Sequence, residues 1–367
     1  MNKSILAVRQ FGAAAISLFV IGLGACSSKP QRPAEPGGTI RVGSEVAKVQ
    51  GATPAVVREY GSLVKQDQLR DQAVRTLEAL TLSADPQVRA HAMEALVPMP
   101  RALGRVVDRG LLDNNLGVRS IAAMSIGRAR LSGHESTLRR LLADESPFVE
   151  ASAIYALVQT RQSVDRGPLA QYLFQENDPG LRAHVAFLLG EMGDPSALPL
   201  IRDAARAPMP KADSARLRLL DLQLSEAMAK LGDERQLEPL RAALFPAQPS
   251  DLEATALAVQ AIGEVQDRSA RGMLIQLSER AGPQNELMPP EILLSISIAM
   301  AKLGDQNGAF LADPFWDDDR ALIRADAASV YGWTNRVEDL AKLERMLSDQ
   351  SEAVQVAAAG ALVRRLK

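Results

Sequence analysis

The chain has one cysteine, three histidines and only 14 aromatic residues among 367. A single cysteine excludes an internal disulfide and a cysteine-based zinc cluster. His91, His134 and His184 are too few and too scattered for most metal or acid–base chemistry. An aromatic content of 4% argues against a stacking groove for sugars. The apolar run at residues 11–23 covers 13 positions, short of the ~20 that a helix needs to cross a bilayer. No Gly-rich phosphate loop and no Gly-x-Ser-x-Gly elbow is present. Charge of either sign is not in large excess: 42 Lys and Arg stand against 44 Asp and Glu, which argues against bulk nucleic-acid binding.

What the chain does have is a helical phrase that recurs. One copy runs from Asp178 to Asp194 and another from Ile292 to Asp305. Aligned on their first apolar position, the copies start at Val88, Val118, Val149, Leu181, Leu220, Ala254, Ile292, Ile323 and Val354. The steps are 30, 31, 32, 39, 34, 38, 31 and 31 residues. A period of this size predicts a solenoid of stacked supersecondary units. Within a copy, apolar residues fall at i, i+4, i+7 and i+8, as in Val88, Ala92, Ala95 and Leu96, which is one face of a helix. Alanines fill the middle of each phrase, so neighbouring helices can approach closely.

Local punctuation agrees. Asp85-Pro86 and Asp178-Pro179 place a capping carboxylate before a proline at the first helical position. Gly193, Gly232 and Gly304 stand where a helix would end in a left-handed residue. A second, weaker helix follows most first helices, marked for example by Leu198, Ile201 and Ala205. Each repeat is therefore a helical hairpin, and the expected fold is an all-α superhelix of about nine to ten hairpins. The last helix, from Glu352 onward, has no second helix after it and ends in Arg364-Arg365. It is expected to cap the stack with a polar or paired outer face.

These phrases resemble the bacterial HEAT-like repeat of the short type also found in phycobilin lyases. The family pattern is roughly Asp-Pro-x-Val-Arg, several alanines, then Leu-Gly-x-Leu-Gly-Asp. Val88-Arg89, Val118-Arg119 and Leu181-Arg182 keep its hydrophobe–Arg pair, whereas Val149-Glu150 and Val354-Gln355 do not. The resemblance covers the chain from about residue 85 to its C-terminus, with the stretch 56–82 as a further helical segment. It implies fold and is almost silent on function. A helical hydroxylase built from related repeats binds two irons through His-Glu pairs. Here Ala92 and Val185 follow His91 and His184, so those pairs are missing and no metal or other cofactor is expected. Lyase activity is also disfavoured, because the resemblance extends to the repeats alone.

The first 25 residues read as an address. Lys3 and Arg9 form a positive head, the apolar run follows, and Leu23-Gly24-Ala25-Cys26 closes it. This resembles a bacterial lipoprotein signal, in which the cysteine is acylated and becomes the mature N-terminus. The implied organisation is a signal peptide over 1–25, a Pro/Gly tether over 26–54 and the solenoid over 55–367. With Ser27 after the cysteine, the resemblance favours the outer membrane's periplasmic leaflet. Several acyl chains on one residue hold far better than one, at ~0.8 kcal/mol per buried methylene.

Charge is unevenly spread. Nine arginines face four acids between Arg89 and Arg140, and eleven acids face five bases between Asp305 and Glu352. In an open solenoid this makes a dipole along the axis. One reading is steering of an acidic partner to Arg105, Arg109, Arg139 and Arg140; the other is solvated helix faces with internal ion pairs. The three longest gaps between repeats, residues 207–213, 245–251 and 281–290, carry Pro208, Pro210, Pro246, Pro249 and Pro289. They are expected along one edge, as binding loops or as tolerated insertions. A truncated second helix near 307–319 brings Phe315 and Trp316 close to an acidic cluster. Trp316 is there either as an exposed contact or as a plug over the gap. The favoured function is a non-catalytic, lipid-anchored envelope scaffold that binds an unidentified envelope protein. The alternative is an accessory protein for an anionic envelope polymer or lipid headgroup. A repeat-type lyase or metal enzyme comes last.

Overall fold

The structure, a computed structural model, describes residues 53–175, 178–210, 212–279 and 288–366, except for the side chains at 249 and 307. Cys26, the expected signal and all but the end of the expected tether lie outside the described residues, as does most of loop 281–290. Two helices open the fold, α1 (Pro54–Tyr60) and α2 (Leu63–Leu80). Hairpins follow: α3 (Pro86–Ala95) with α4 (Pro100–Leu111), α5 (Leu116–Ala129) with α6 (Glu135–Leu141), and α7 (Pro147–Gln159) with α8 (Gly167–Leu173). Next come α9 (Pro179–Met192) with α10 (Leu198–Arg206), α11 (Ser214–Lys230) with α12 (Leu237–Ala242), and α13 (Leu252–Glu264) with α14 (Arg271–Glu279). After α15 (Pro290–Lys302) the second helix is replaced by a 3-10 segment, Gln306–Phe315. The chain ends with α16 (Ala321–Tyr331), α17 (Val337–Met346) and α18 (Glu352–Arg365). Among these residues every regular element is helical, and the fold is the all-α, HEAT-like superhelix of hairpins that the repeats predict. No described helix is long and apolar enough to cross a membrane.

The caps work as their sequence suggests. Asp85 accepts from the Gln87 amide at 2.8 Å and Asp178 from the Leu181 amide at 3.0 Å. Gly193, Gly232 and Gly304 take φ values of +69°, +98° and +90° after their helices. The first helices of the hairpins, α3, α5, α7, α9, α11, α13, α15, α16 and α18, form an inner layer in which each packs on the next. Small residues set the spacing. A side chain added at Gly190 would lie 3.1 Å from the Ala227 backbone of the neighbouring inner helix.

The inner layer closes on itself. α18 does not cap an open end, as its sequence suggests; it packs against α16 on one side and against α2 and α3 on the other. A carbon added at Gly360 of α18 would reach within 3.1 Å of the Ala95 side chain in α3. Ser83 bonds Glu352 across the seam, and the Lys65 ammonium sits 2.8 Å from Glu344. The last hairpin is thus completed by helices from opposite ends of the described residues. α18 supplies its inner helix and α2 its outer one. One apolar core runs continuously through this junction, from Leu69 and Leu77 to Val354 and Leu362. The expected axial dipole disappears with it, because the acidic C-terminal repeats lie beside the N-terminal ones.

The hydrophobe–Arg pairs build a ladder between repeats. Arg89 donates through Nε and Nη2 to Asp113 at 2.8 Å each, and through Nη1 to the Ser83 carbonyl. Arg119 treats Asp144 in the same way, and Arg324 treats Asp349. Bidentate pairs of this kind fix the angle between successive hairpins. Arg182 holds the same register but turns inward and is 1% exposed. Its Nη1 donates to the carbonyls of Ala204 and Ala207 at 3.0 and 2.9 Å, and its Nη2 to that of Gln175 at 3.2 Å. It ties loop 207–213 to α9. Arg182→Met is expected to lower stability by about 3 kcal/mol, since buried carbonyls lose their donor. Urea denaturation checks this; a midpoint unchanged at constant m value would contradict it.

Candidate functional site

Two regions of the ring gather unusual chemistry: its lumen and one of its rims. In the lumen, charged residues ten positions after their repeat's first apolar residue find partners on other inner helices. Arg128 of α5 reaches Glu94 of α3 at 3.1 Å and Glu191 of α9 at 3.5 Å, passing over the intervening α7. Lys230 of α11 lies 2.7 Å from Glu191 and 2.8 Å from Glu226. Lys302 of α15 bonds Glu264 of α13. Arg128 and Lys230 both sit over the Phe187 ring, at 5.6 and 5.1 Å. Arg364 of α18 and Lys302 flank Trp333 at 4.9 and 5.4 Å. Charged groups from neighbouring inner helices, and in Arg128–Glu191 from helices two apart, therefore meet on the inner side.

In Lys230, Glu191 and Arg364 burial opposes the charge, and nearby charges act against it. Burial would neutralise Lys230, but Glu226 and Glu191 raise its pKa above the ordinary value. Burial would also raise Glu191, yet Lys230 and Arg128 hold it below the usual carboxylate range. Arg364 is the contrast: burial pulls it down, against Glu94 and Glu264. The Glu94, Glu191, Glu226 and Glu264 carboxylates balance the Arg128, Lys230, Lys302 and Arg364 cations. A balanced, desolvated network of this kind specifies one arrangement of the inner helices.

A cavity of about 170 Å³ opens above this network, where α3, α16 and α18 face one another. His91 and Glu94 line it from α3, Asp326 and Ser329 from α16, and Gly360 and Arg364 from α18. Its origin is visible in the register six residues after each first apolar position. Around most of the ring that place holds a large side chain: Met124, Tyr155, Phe187, Glu226, Gln260 and Ile298. In α16 and α18 it holds Ser329 and Gly360, and the space stays open. Aligning the repeats on this register would have found the gap; reading Arg364 as part of a solvent-facing cap hid it.

The rim at the N-terminal ends of the inner helices holds most of the residues that the sequence singles out. Arg109 stands in the last turn of α4, and Arg139 and Arg140 in the last turn of α6. All three are exposed, and no carboxylate among the described residues pairs with them. Arg139 donates to the Ser163 carbonyl and Arg140 to Thr137, both at 3.2 Å. Arg105 is committed to Glu78. Of the other arginines of the basic stretch, Arg89, Arg119 and Arg128 are consumed by the ladder and the lumen. Pro208 and Pro210 are exposed on either side of the buried Met209. Pro246 is half-buried, Pro249 opens a 3-10 turn, and Pro289 caps α15. These loops all join an outer helix to the next inner one, so topology puts them on this rim. Leu82 and Leu112, missed by sequence reasoning, occupy equivalent places there and are 61% and 63% exposed. Trp316 is half-buried against the main core. Its neighbour Asp313 is held by Arg336 and Lys342 at 2.7 and 2.6 Å. No group of three His, Cys, Asp or Glu among the described residues is placed to hold a metal ion.

No protein-family model and no curated protein matches the chain. Among solved structures it is similar to an engineered protein at 17% identity, over 85% of this chain and 98% of the other, with a TM-score of 0.32. It is also similar to human deoxyhypusine hydroxylase solved with glycerol, at 17% identity over 83% and 98%, with a TM-score of 0.33. A second engineered protein aligns at 14% identity over 80% and 96%, with a TM-score of 0.19. Likeness at this level carries no argument about the site.

Proposed function

We propose that this protein is a non-catalytic scaffold or adaptor of the bacterial cell envelope that binds another protein through one rim of its ring. It is anchored by lipid at Cys26, in the outer membrane and facing the periplasm. A tether of about 27 residues has a mean reach near 30 Å, enough for the ring to stand off the membrane. The observation that supports partner binding is the make-up of the rim. Exposed Leu82 and Leu112 lie on the same edge as Arg109, Arg139 and Arg140, which have no ion-pair partner among the described residues. Exposed apolar side chains beside arginines are what a protein interface uses for its centre and its steering charges.

The arginines alone also fit an anionic envelope polymer or a lipid headgroup, which is the second reading. The two diverge at Leu112. With a protein partner, Arg139→Glu with Arg140→Glu should slow association at least tenfold at low salt and flatten its salt dependence, while Leu112→Ser should speed dissociation at every salt concentration. Surface plasmon resonance on the isolated pair reads both. A polymer would respond to the arginines and ignore Leu112. Association rates unchanged by the double charge reversal would remove both readings.

A further inference from the structure

We infer that the cavity between α3, α16 and α18 receives an uncharged apolar side chain, the size of a phenyl ring, from the protein that binds the rim. The choice of occupant rests on the rim being a protein interface; the apolar character of the site does not. Interiors of folded proteins leave few voids larger than a water molecule. This one measures about 170 Å³. An engineered cavity of ~150 Å³ with aliphatic and aromatic walls holds benzene. Much of the wall here is aliphatic: Val88 and Ala95 from α3, Leu322 and Ala325 from α16, Val356 and Ala357 from α18. The polar groups between them are served by the protein itself. Glu94 pairs with Arg128 at 3.1 Å and has His91 at 3.8 Å. Arg364 sits over the Trp333 ring, and Asp326 and Ser329 are engaged within the protein. A charged ligand would shed its water with no partner waiting, whereas an apolar one gains by leaving water.

The opening of the cavity points to the source of the occupant. Asp85, the N-cap of α3, lines it together with Leu322 and Ala353 from the first turns of α16 and α18. The cavity therefore reaches the rim at the N-terminal ends of the inner helices. The exposed Leu82 precedes Asp85 in the loop that enters α3. A buried anchor beside exposed apolar contacts is how protein interfaces concentrate their affinity.

The test is thermal stability of the whole protein with benzene, beside benzylammonium and benzoate at the same ionic strength. Saturable stabilisation by benzene, with neither ion binding more tightly, is the expected result. Ala357→Leu fills the space without touching a charge and should abolish the effect while the ligand-free protein melts cooperatively as before. Ala325→Leu fills it from α16 and carries the test if the first variant does not fold. Tighter binding of either ion, no saturable effect of benzene, or benzene binding that survives the filling would overturn the apolar assignment. These results do not depend on a partner, so they stand or fall apart from the scaffold reading, which the rim arginines test. With the partner in hand, Ala357→Leu should speed its dissociation by about tenfold or more and leave its association rate unchanged. Dissociation unchanged by the filling, with benzene binding lost, would overturn the side chain as occupant and assign the cavity to a free apolar molecule.

Discussion

Removing residues 350–367 is expected to abolish cooperative folding rather than shorten a stack by one step. In an open solenoid each repeat touches only its neighbours, and losing the last helix forfeits one interface. Here α18 covers α16, α2 and α3 together. Val354, Ala358, Leu362 and Val363 are fully buried in it, and Leu69, Ala73 and Leu77 of α2 lie in the same core. Arg365 also donates to the backbone carbonyls of Tyr331 and Arg336. Each large aliphatic side chain lost from a core costs about 2–5 kcal/mol, and a domain holds only about 5–15 kcal/mol in total. The truncated chain should melt without a sharp transition and bind a hydrophobic dye. Hydrogen exchange locates the effect. The amides of α2 should lose protection although they are far from the cut in sequence. A truncated protein whose α2 exchanges as slowly as before would mean that the ring is not closed in solution.

Between pH 6.5 and 5 the intact protein should lose stability with a slope that approaches about 1.4 kcal/mol per pH unit, and His184→Gln should lack that slope. His184 is 2% exposed, with Nε2 2.9 Å from Ser152 Oγ and 3.2 Å from the Phe148 carbonyl. Burial pushes its pKa down to about 3, and the Phe148 carbonyl only partly opposes this. The unfolded chain takes up a proton near pH 6.5 that the folded chain refuses. Stability is therefore full above that pH and falls as the solution is acidified. The ion-paired carboxylates act in a lower window. In Asp113 burial is overcome by Arg89, and in Asp349 the hydrogen bonds from Arg324 dominate, so both titrate below their usual range. Their contribution is complete above the unfolded carboxylate value of about 4 and is lost only below it. Denaturation midpoints at half-unit pH steps separate the two. Identical slopes for the protein and the variant above pH 5 would refute the assignment to His184.

The parts of the fold that were legible in the sequence are those set by near neighbours. Asp85 and Asp178 cap helices because the amides they accept from, Gln87 and Leu181, are two and three residues away. Gly193, Gly232 and Gly304 end helices because only glycine takes those φ values freely. Closure was not legible. Val354, Ala358, Ala361 and Leu362 read like any inner helix, and whether α18 meets water or α3 depends on a small rotation summed over all the preceding repeats. Arg364 and Arg365 look like a polar end cap in sequence. The closed ring instead puts Arg364 over Trp333 and turns Arg365 onto backbone carbonyls. The basic block was misleading for the same reason. Arg89 and Arg119 find Asp113 and Asp144 one repeat away, so the net charge of the segment overstates what the surface offers.

Partner binding at the rim is tested most directly by a photocrosslinking amino acid placed at position 109 or 140, in cells whose protein keeps Cys26 and its native membrane. Glu238, exposed on α12 in a distant hairpin, serves as the control position. The expected result is one dominant adduct with an acidic protein from positions 109 and 140, absent from position 238 and lost when Arg139 is reversed to Glu. Equal adducts from all three positions, or no protein adduct from any of them, would contradict the proposed function.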